Sequence, residues 1–472
     1  MSQHLTLCVV NSIENSGEAN PIAVSRCDPV CPIGESCPTW PRMKPAAAHK
    51  KKPSSAAGTA SVTPSSASNV PPASATNTWI VLAGFAALVV SLWFVRWMKI
   101  QNTVNAAMIC MGAVALANFL PDLLLLKVHR RASTGIDWNN RSPSWNRVFT
   151  KFLGLLASLS AGAALYGLFP EYHGEFYNPF WELMRKILPW WIGLAIPYFY
   201  LVDSHQAEPE DGYYHAGLLA KFQFRKVDFK VLRQHALGWL VKIFFMALMF
   251  TYLVTDLRGF INYDFSTVKN FRTFFEFSYF YIFLADVALG CVGYLLSLRI
   301  CDTHLRWAEP TAAGWLAALA CYQPFWSLLG RLYFDYSSNF AWGPWLQNHP
   351  TIYCVWGAAI ILLYGIYLWA TIVFGCRFSN LTHRGIITNG PYRWTKHPAY
   401  IAKNLAYWMT FVPFIVSSSV ADSIRRTVLL LLVNWIYWVR ARTEEAHLSQ
   451  DPAYVEYQDY IRRHGIFRWM GR

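Results

Sequence analysis

Residues 384–400 read RGIITNGPYRWTKHPAY and separate two strongly apolar runs, 351–374 and 401–416. The stretch combines three cations, one histidine, two glycines, two prolines and two tyrosines. Lipid hydrocarbon does not tolerate contact with unpaired charges and irregular backbone. The pattern therefore predicts two membrane helices joined by a segment that lines water, a polar ligand or other protein. The alternative is a plain cytoplasmic loop whose basic residues only set the membrane orientation.

The composition of the whole chain is that of a membrane protein. Of its 472 residues, 54% are apolar, 17% are aromatic and only 14% are charged. The net charge of +14 is usual for a multi-pass protein, because Lys and Arg are retained in cytoplasmic loops. No basic face is separate from the apolar runs, so we expect no nucleic-acid partner.

Ten apolar runs follow the N-terminal region, and each is a candidate membrane span. A helix needs about 20 apolar residues to cross the hydrocarbon core. The runs at 187–202 and 311–329 are the weakest, because prolines interrupt them. The sequence predicts an all-α, multi-pass integral membrane helical bundle with about ten transmembrane helices, at 78–95, 103–126, 152–169, 187–202, 236–255, 274–298, 311–329, 351–374, 400–416 and 427–439.

Three regions are expected along the chain. Residues 1–77 contain too little apolar surface to fold and are predicted to be a disordered tail and linker. Residues 78–350 form an N-terminal transmembrane region that holds a possible acceptor site, and residues 351–472 form a C-terminal module. The distribution of Lys and Arg among the loops places both termini and the 384–400 stretch in the cytoplasm.

A second polar segment follows the last apolar run and contains Glu444 and Glu445. Its carboxylates complement the cations, the imidazole and the Gly-Pro turn of 384–400. A cofactor with an amine, a carboxylate and a ribose diol needs such a set of partners. A solvated helix face, with Arg440 and Arg442 as neighbours of the glutamates, is the alternative. The cysteine spacing of the tail does not predict a metal site.

These motifs resemble a known superfamily. The sequence from Gly390 to Tyr400, an apolar helix and Glu444-Glu445-x-x-Leu448 are similar to the C-terminal half of isoprenylcysteine carboxyl methyltransferases and phospholipid methyltransferases. Those are integral membrane enzymes that use S-adenosylmethionine. The resemblance covers about the last quarter of the chain. Lys396 departs from the family pattern, which has Arg there, and so do Lys403-Asn404.

The resemblance implies a set of site residues. Arg393 and Glu445 are expected to be catalytic, with Arg393 the cation nearest the acceptor or the cofactor carboxylate. S-adenosylmethionine is expected to bind at Gly390, Tyr392, His397, Pro398, Tyr400, Glu444 and Glu445.

Polar residues within or beside apolar runs are the candidates for the acceptor site. An ionisable side chain in the middle of a span is a functional hypothesis in itself, usually with a partner of opposite charge. Asp286 lies in such a position, and Glu309 and Gln323 lie in a broken polar segment. All three are candidate substrate-binding residues.

The expected function is therefore methyl transfer from S-adenosylmethionine to a lipid-like acceptor in the bilayer. One alternative is an NADPH-dependent membrane reductase of the sterol-reductase type. That group commonly has Asn at the position of Pro398, so Pro398 favours methyl transfer. The other alternative is a non-catalytic membrane scaffold of the same fold. The sequence predicts no oligomeric state.

Overall fold

The computed structural model describes residues 70–327, 341–416 and 419–471. In these ranges the chain is almost entirely helical, which confirms the predicted all-α class. The α-helices are α1 (Thr78–Trp97), α2 (Thr103–Leu124), α3 (Trp145–Leu168), α4 (Asn178–His205), α5 (Gly212–Ala220), α6 (Phe229–Ile261), α7 (Phe271–Leu295), α8 (Ala312–Leu319), α9 (Phe325–Ser327), α10 (Trp342–Leu346), α11 (Pro350–Ile372), α12 (Pro398–Phe411), α13 (Val420–Leu448) and α14 (Pro452–His464).

Six helices of the described chain are long and apolar enough to cross a membrane: α1, α2, α3, α6, α7 and α11. The predicted count of ten spans is not confirmed. The run at 311–329 does not form one helix, because α8 ends at Leu319 after 8 residues. At 1.5 Å per residue, α8 is only about 12 Å long, well short of the hydrocarbon core.

The other unconfirmed spans fall in helices with mixed character. Helix α12 has 14 residues and is about 21 Å long. Helix α4 has 28 residues and contains Pro189 and Pro197. Helix α13 is 29 residues long, and its ends are charged. Length alone therefore does not exclude α4 and α13 from the bilayer, but their polar residues lower their mean hydropathy.

Helices α6 and α7 form the centre of the bundle. They are the most buried of the six apolar helices, whereas the outer helices expose large apolar side chains such as Leu116 and Val355. An outward apolar face is expected where a helix meets lipid instead of water. The large core cluster joins these central helices to α1, α2 and α11.

One short antiparallel pairing stands out in the helical fold. Strand β1 (Trp307–Ala308) pairs with β2 (Thr382–His383), with Trp307 opposite His383. The two rings are stacked, with centroids 4.1 Å apart. The pairing holds the connection after α7 against the start of the 384–400 stretch.

The end of the N-terminal tail is ordered against the same stretch. The Ala75 N–H donates to the Ile386 carbonyl at 2.8 Å, and the Thr388 hydroxyl donates to the Pro72 carbonyl at 2.7 Å. Thr76 donates to the carbonyl of Val373 at 2.7 Å. Most of the tail predicted to be disordered, residues 1–69, lies outside the described residues.

Candidate functional site

A narrow cleft lies where α11, α12 and the end of α13 meet the 384–400 stretch. Its volume is about 100 Å³, below the roughly 300–1,000 Å³ of most ligand pockets. A ligand of cofactor size can enter only if the residues that line the cleft move apart, as mobile segments do in many active sites. The residues that line the cleft are Cys321, Tyr322, Tyr367, Ala370, Thr371, Phe374, Phe378, Ser379, Asn380, Tyr392, Lys396, His397, Ala399, Tyr400, Lys403, Tyr437, Arg440 and Glu444.

Two helix faces supply the polar wall. Helix α12 begins at Pro398, where a proline fits because the first helical N–H needs no partner. Its first turns then bring Tyr400 and Lys403 to one face, three residues apart. Along α13, Tyr437, Arg440 and Glu444 have the spacing i, i+3, i+7, which also puts them on one face.

The two consecutive glutamates have different partners. Neighbouring residues of a helix point about 100° apart, so Glu444 and Glu445 cannot share one direction. Glu444 lines the cleft and accepts a hydrogen bond from the Tyr400 hydroxyl at 2.8 Å. Glu445 lies 2.7 Å from Lys396 Nζ and 2.9 Å from His397 Nε2. The Glu445 carboxylate therefore fixes the positions of Lys396 and His397, which both line the cleft.

The surroundings of Glu445 keep its carboxylate ionised. Burial disfavours the charge, but the hydrogen bonds and charges of His397 and Lys396 outweigh it and lower the pKa of Glu445 from 4.5 to about 2. The His397 ring also stacks on the Tyr400 ring, with centroids 5.4 Å apart and planes 7° apart. The imidazole is thus fixed in orientation by one acid and one aromatic ring.

Arg440 is one of two buried cations that line the cleft, together with Lys403. Its guanidinium carbon lies 5.5 Å from the Tyr322 ring centroid and 5.2 Å from that of Tyr400. Its Nη2 donates to Asn380 Oδ1 at 2.6 Å, and Asn380 Nδ2 donates to the Tyr294 hydroxyl at 2.7 Å. The sequence pointed to Arg440 only as a neighbour of the glutamates. Its position four residues before Glu444 was the signal that it shares the face of Glu444.

A second polar group closes the inner end of the cleft. Asp286, half-buried on α7, accepts hydrogen bonds from the Tyr367 hydroxyl at 2.7 Å and the Thr371 hydroxyl at 2.6 Å. Both donors line the cleft, as does Lys403, whose Nζ lies 5.0 Å from the Tyr367 ring centroid. Asp286 itself does not line the cleft and lies behind Tyr367 and Thr371. Lys403 was noted in the sequence only as a departure from the family pattern.

Some residues singled out from the sequence lie elsewhere. The Arg393 side chain is exposed, outside the cleft, and makes no hydrogen bond or ion pair with the residues that the structure describes. Glu309 accepts from the Thr311 N–H at 2.9 Å and lies 3.4 Å from His447 Nδ1. Gln323 accepts from the Ser327 N–H at 3.1 Å. Arg393, Glu309 and Gln323 are therefore not brought to the lining of this cleft.

Gly390 and Tyr392 shape the turn beside the cleft. Gly390 has φ +56°, and a Cβ there would lie 2.5 Å from Val373 Cγ1, so both backbone and packing require glycine. Tyr392 lines the cleft. Its carbonyl accepts from the hydroxyl of Tyr457, on α14, at 2.7 Å. The C-terminal helix thus fixes the position of this turn.

Comparison with known proteins agrees with this geometry. Residues 351–451 match the family model described as Phospholipid methyltransferase. No curated protein and no solved structure matches the chain. The matched segment covers α11 from its second residue, α12, α13, the 384–400 stretch and the connections between them, and it supplies every residue of the cleft lining except Cys321 and Tyr322. The C-terminal quarter of this membrane protein is therefore similar to phospholipid methyltransferases, as its motifs predicted.

Proposed function

We propose that the protein is an integral membrane methyltransferase that uses S-adenosylmethionine and acts on a lipid-like acceptor from the bilayer. The proposal rests on one observation, which is that the family match and the polar cleft fall on the same segment of the chain. The segment that matches the phospholipid methyltransferase family also supplies nearly the whole lining of the polar cleft. A scaffold that had lost its activity would have no need to keep charged groups buried in this segment.

The side chains of the cleft fit the chemistry of this cofactor. Glu444 offers a carboxylate for an amine or for ribose hydroxyls, and Arg440 offers a cation for a carboxylate. Tyr392 and Tyr400 offer aromatic surface. We propose that Glu445 acts indirectly, because its contacts hold Lys396 and His397 in the wall. When bound, S-adenosylmethionine supplies an electrophilic methyl group.

The inner end of the cleft is the proposed place of the acceptor. It contains Lys403, Tyr367 and Thr371 and abuts α7 and α11, two helices apolar enough to span the membrane. Methyl transfer needs an acceptor with a free lone pair, held in line with the methyl group, more than it needs acid–base catalysis. A lipid whose polar group enters the cleft meets that need. A prenylated thiol or carboxylate, a phospholipid amine and another isoprenoid all belong to this class.

The proposed orientation follows from the cofactor. S-adenosylmethionine is water-soluble, so the mouth of the cleft must face the compartment that contains it. We propose that this is the cytoplasm, in agreement with the excess of Lys and Arg in the loops on that side.

A thermal-shift experiment on the purified protein tests the proposal. We expect S-adenosylmethionine and its demethylated product to raise the unfolding temperature. A ligand present at 100 times its Kd stabilises the folded state by about 2.7 kcal/mol. Stabilisation by NADPH alone would contradict methyl transfer and favour the reductase. A protein that responds to none of the three ligands would instead be a scaffold.

The variants His397→Ala and Glu445→Ala test the wall of the cleft in the same experiment. Each is expected to lose the shift caused by S-adenosylmethionine while still unfolding cooperatively. Glu456→Ala, an exposed acid on α14, is the control and should keep the full shift. Wild-type shifts in both wall variants would contradict the assignment.

A further inference from the structure

A second cavity lies at the opposite ends of the helices. It is formed by the end of α1, the connection to α2, the start of α4 and the end of α6, and its volume is about 1270 Å³. Helix α1 begins beside the 384–400 stretch, through Thr76 and Asn389, and has 20 residues. It is therefore about 30 Å long, close to the thickness of the hydrocarbon core. The cavity and the candidate site thus lie near opposite faces of the membrane.

Three cations of the cavity wall have exposed side chains without a contact ion pair in the part of the chain that the structure describes. The side chains of Lys99, Arg185 and Arg258 are exposed and form no ion pair or hydrogen bond within the described ranges. Like charges in one cleft repel each other and raise the local concentration of anions. Three basic side chains from three different parts of the fold therefore converge on one space.

The other charged groups of the wall offset these cations only in part, because the wall contains two acids, Glu175 and Glu182, against four cations when Arg96 is included. Arg96 already has hydrogen-bond partners. Its guanidinium donates to the carbonyls of Phe260 and Ile261 at the end of α6, at 2.8 and 2.6 Å. The Glu182 carboxylate also has partners, since Asn102 donates a hydrogen bond to it at 2.8 Å and Lys186 forms an ion pair with it at 2.9 Å. The exposed Glu175 is the remaining acid of the wall.

Helix termini add to the positive potential. Helices α2 and α4 both begin at the cavity, so their N-terminal N–H groups contribute partial positive charge there. The first turn of α4 has no side-chain cap, but the Asn178 N–H donates to the Glu175 carbonyl and Pro179 has no N–H, so this helix contributes mainly through its dipole. The carbonyl end of α6 also faces this region, but Arg96 neutralises it. The balance of fixed dipoles and charges favours an anion.

The rim of the cavity has the features of a membrane interface. Trp93 and Trp97 line it and are 46% and 77% exposed. Exposed tryptophans favour the depth of the lipid headgroups, because the ring is apolar and the N–H group remains hydrated. The cavity therefore opens at the level where headgroup phosphates lie.

We propose that this cavity binds the phosphate group of an anionic lipid headgroup, at the membrane face opposite the candidate methyltransferase site. Lys99, Arg185 and Arg258 contact the phosphate, and Trp93 and Trp97 lie beside the glycerol and upper acyl region. The proposal does not depend on methyl transfer, since no residue of the cleft takes part.

Lipid titration of the full-length protein in detergent micelles, with binding measured by native mass spectrometry, tests this site. We expect phosphatidylglycerol to bind more tightly than phosphatidylcholine. The double variant Arg185→Gln/Arg258→Gln should bind phosphatidylglycerol roughly tenfold more weakly or worse, because it removes two of the three basic residues proposed to contact the phosphate. Lys269→Gln/Arg425→Gln removes two exposed cations outside the cavity lining and should bind like the wild type.

The outcomes separate the sources of the phosphate. Displacement of phosphatidylglycerol by millimolar inorganic phosphate would show that the cavity recognises the phosphate group alone and also accepts the free ion. Retention of the lipid in inorganic phosphate, together with loss in the double variant, would show that the headgroup and its lipid are required. Equal binding of the two lipids, or wild-type binding by the double variant, would overturn the proposal.

Discussion

The cations of the 384–400 stretch have three different structural roles. Arg384 is buried and donates to backbone carbonyls, Lys396 is paired with Glu445, and Arg393 is exposed. The sequence predicted that this stretch avoids lipid, because it contains charged residues together with glycines and prolines that favour an irregular backbone. The resemblance implied that Arg393 is the cation nearest the acceptor or the cofactor carboxylate, whereas Lys396 is the cation of this stretch that lines the cleft. Which cation lines the cleft depends on the direction of each side chain, which tertiary packing determines.

His383 should make the protein sensitive to mild acid. Burial, with the charge of nearby Arg306, lowers the pKa of His383 from 6.5 to about 4, despite Asp451 at 3.0 Å. Between these values the unfolded chain binds a proton that the folded protein does not. Stability is therefore complete above pH 6.5 and falls as the pH drops to about 4, by about 3 kcal/mol from this group.

The substitution His383→Phe isolates this effect, because phenylalanine keeps the ring that stacks on Trp307. We expect the variant to lose less stability than the wild type when the pH changes from 7.5 to 5, as measured by thermal unfolding in detergent. His464→Phe, at the half-buried end of α14, is the control and should follow the wild type. An unchanged pH dependence in His383→Phe would show that His383 is not the sensitive group.

At the scale of the elements, helical spacing carried most of the information. Tyr437, Arg440 and Glu444 recur at helical intervals and share one face of α13, although of these three the sequence singled out only Glu444. The divergence of Glu444 and Glu445 follows from the same geometry. Asp286 of α7 was singled out as an ionisable residue within a span, but its partners Tyr367 and Thr371 were not readable, because these contacts join residues far apart in the chain. Asn380, which bonds Arg440 and Tyr294, is such a case.

Arg384 is expected to hold the end of α7 against the candidate site. Its guanidinium donates to the carbonyls of Gly293 at 2.7 Å and Leu296 at 3.1 Å, at the last turn of that helix. It also donates to the Thr303 carbonyl at 2.8 Å. Terminal carbonyls have no partner within their own helix, so a buried donor satisfies them. The substitution Arg384→Met removes every one of these donors.

We expect Arg384→Met to reduce the free energy of unfolding by at least about 1–3 kcal/mol, because buried backbone carbonyls lose their donor. Arg393→Met removes an exposed cation from the same stretch and should change stability by less than about 0.5 kcal/mol. Denaturant unfolding followed by circular dichroism compares them. Equal losses in the two variants would contradict the structural role of Arg384.

At the scale of the whole molecule, composition predicted the membrane class and the motifs predicted the family of the last quarter. The number of spans was less accessible, because α12 and α13 combine polar and apolar character and α8 is too short to cross. No sequence motif marks the cavity at the end of α1, the start of α4 and the end of α6. Its basic residues come from three separate parts of the chain, since Lys99 lies in the connection after α1, Arg185 in α4 and Arg258 in α6.

The molecule thus has two polar sites separated by the length of its central helices. The cleft at one end is enclosed and contains acids, cations and aromatic rings, as a zwitterionic cofactor requires. The cavity at the other end is wide and mainly basic, as an anion requires. Neither site shares a lining residue with the other, so variants of one should leave ligand binding at the other unchanged.

The central claim is that Glu444 binds S-adenosylmethionine in the cleft, and equilibrium binding of the labelled cofactor to the purified protein tests it most directly. The wild type should bind saturably, and Glu444→Gln should bind roughly tenfold more weakly or worse, because a charged hydrogen bond contributes about 1.5–3 kcal/mol. Glu456→Gln, the same change at an exposed site, should bind like the wild type. Equal affinities of wild type and Glu444→Gln, or no binding by the wild type at millimolar cofactor, would contradict the claim.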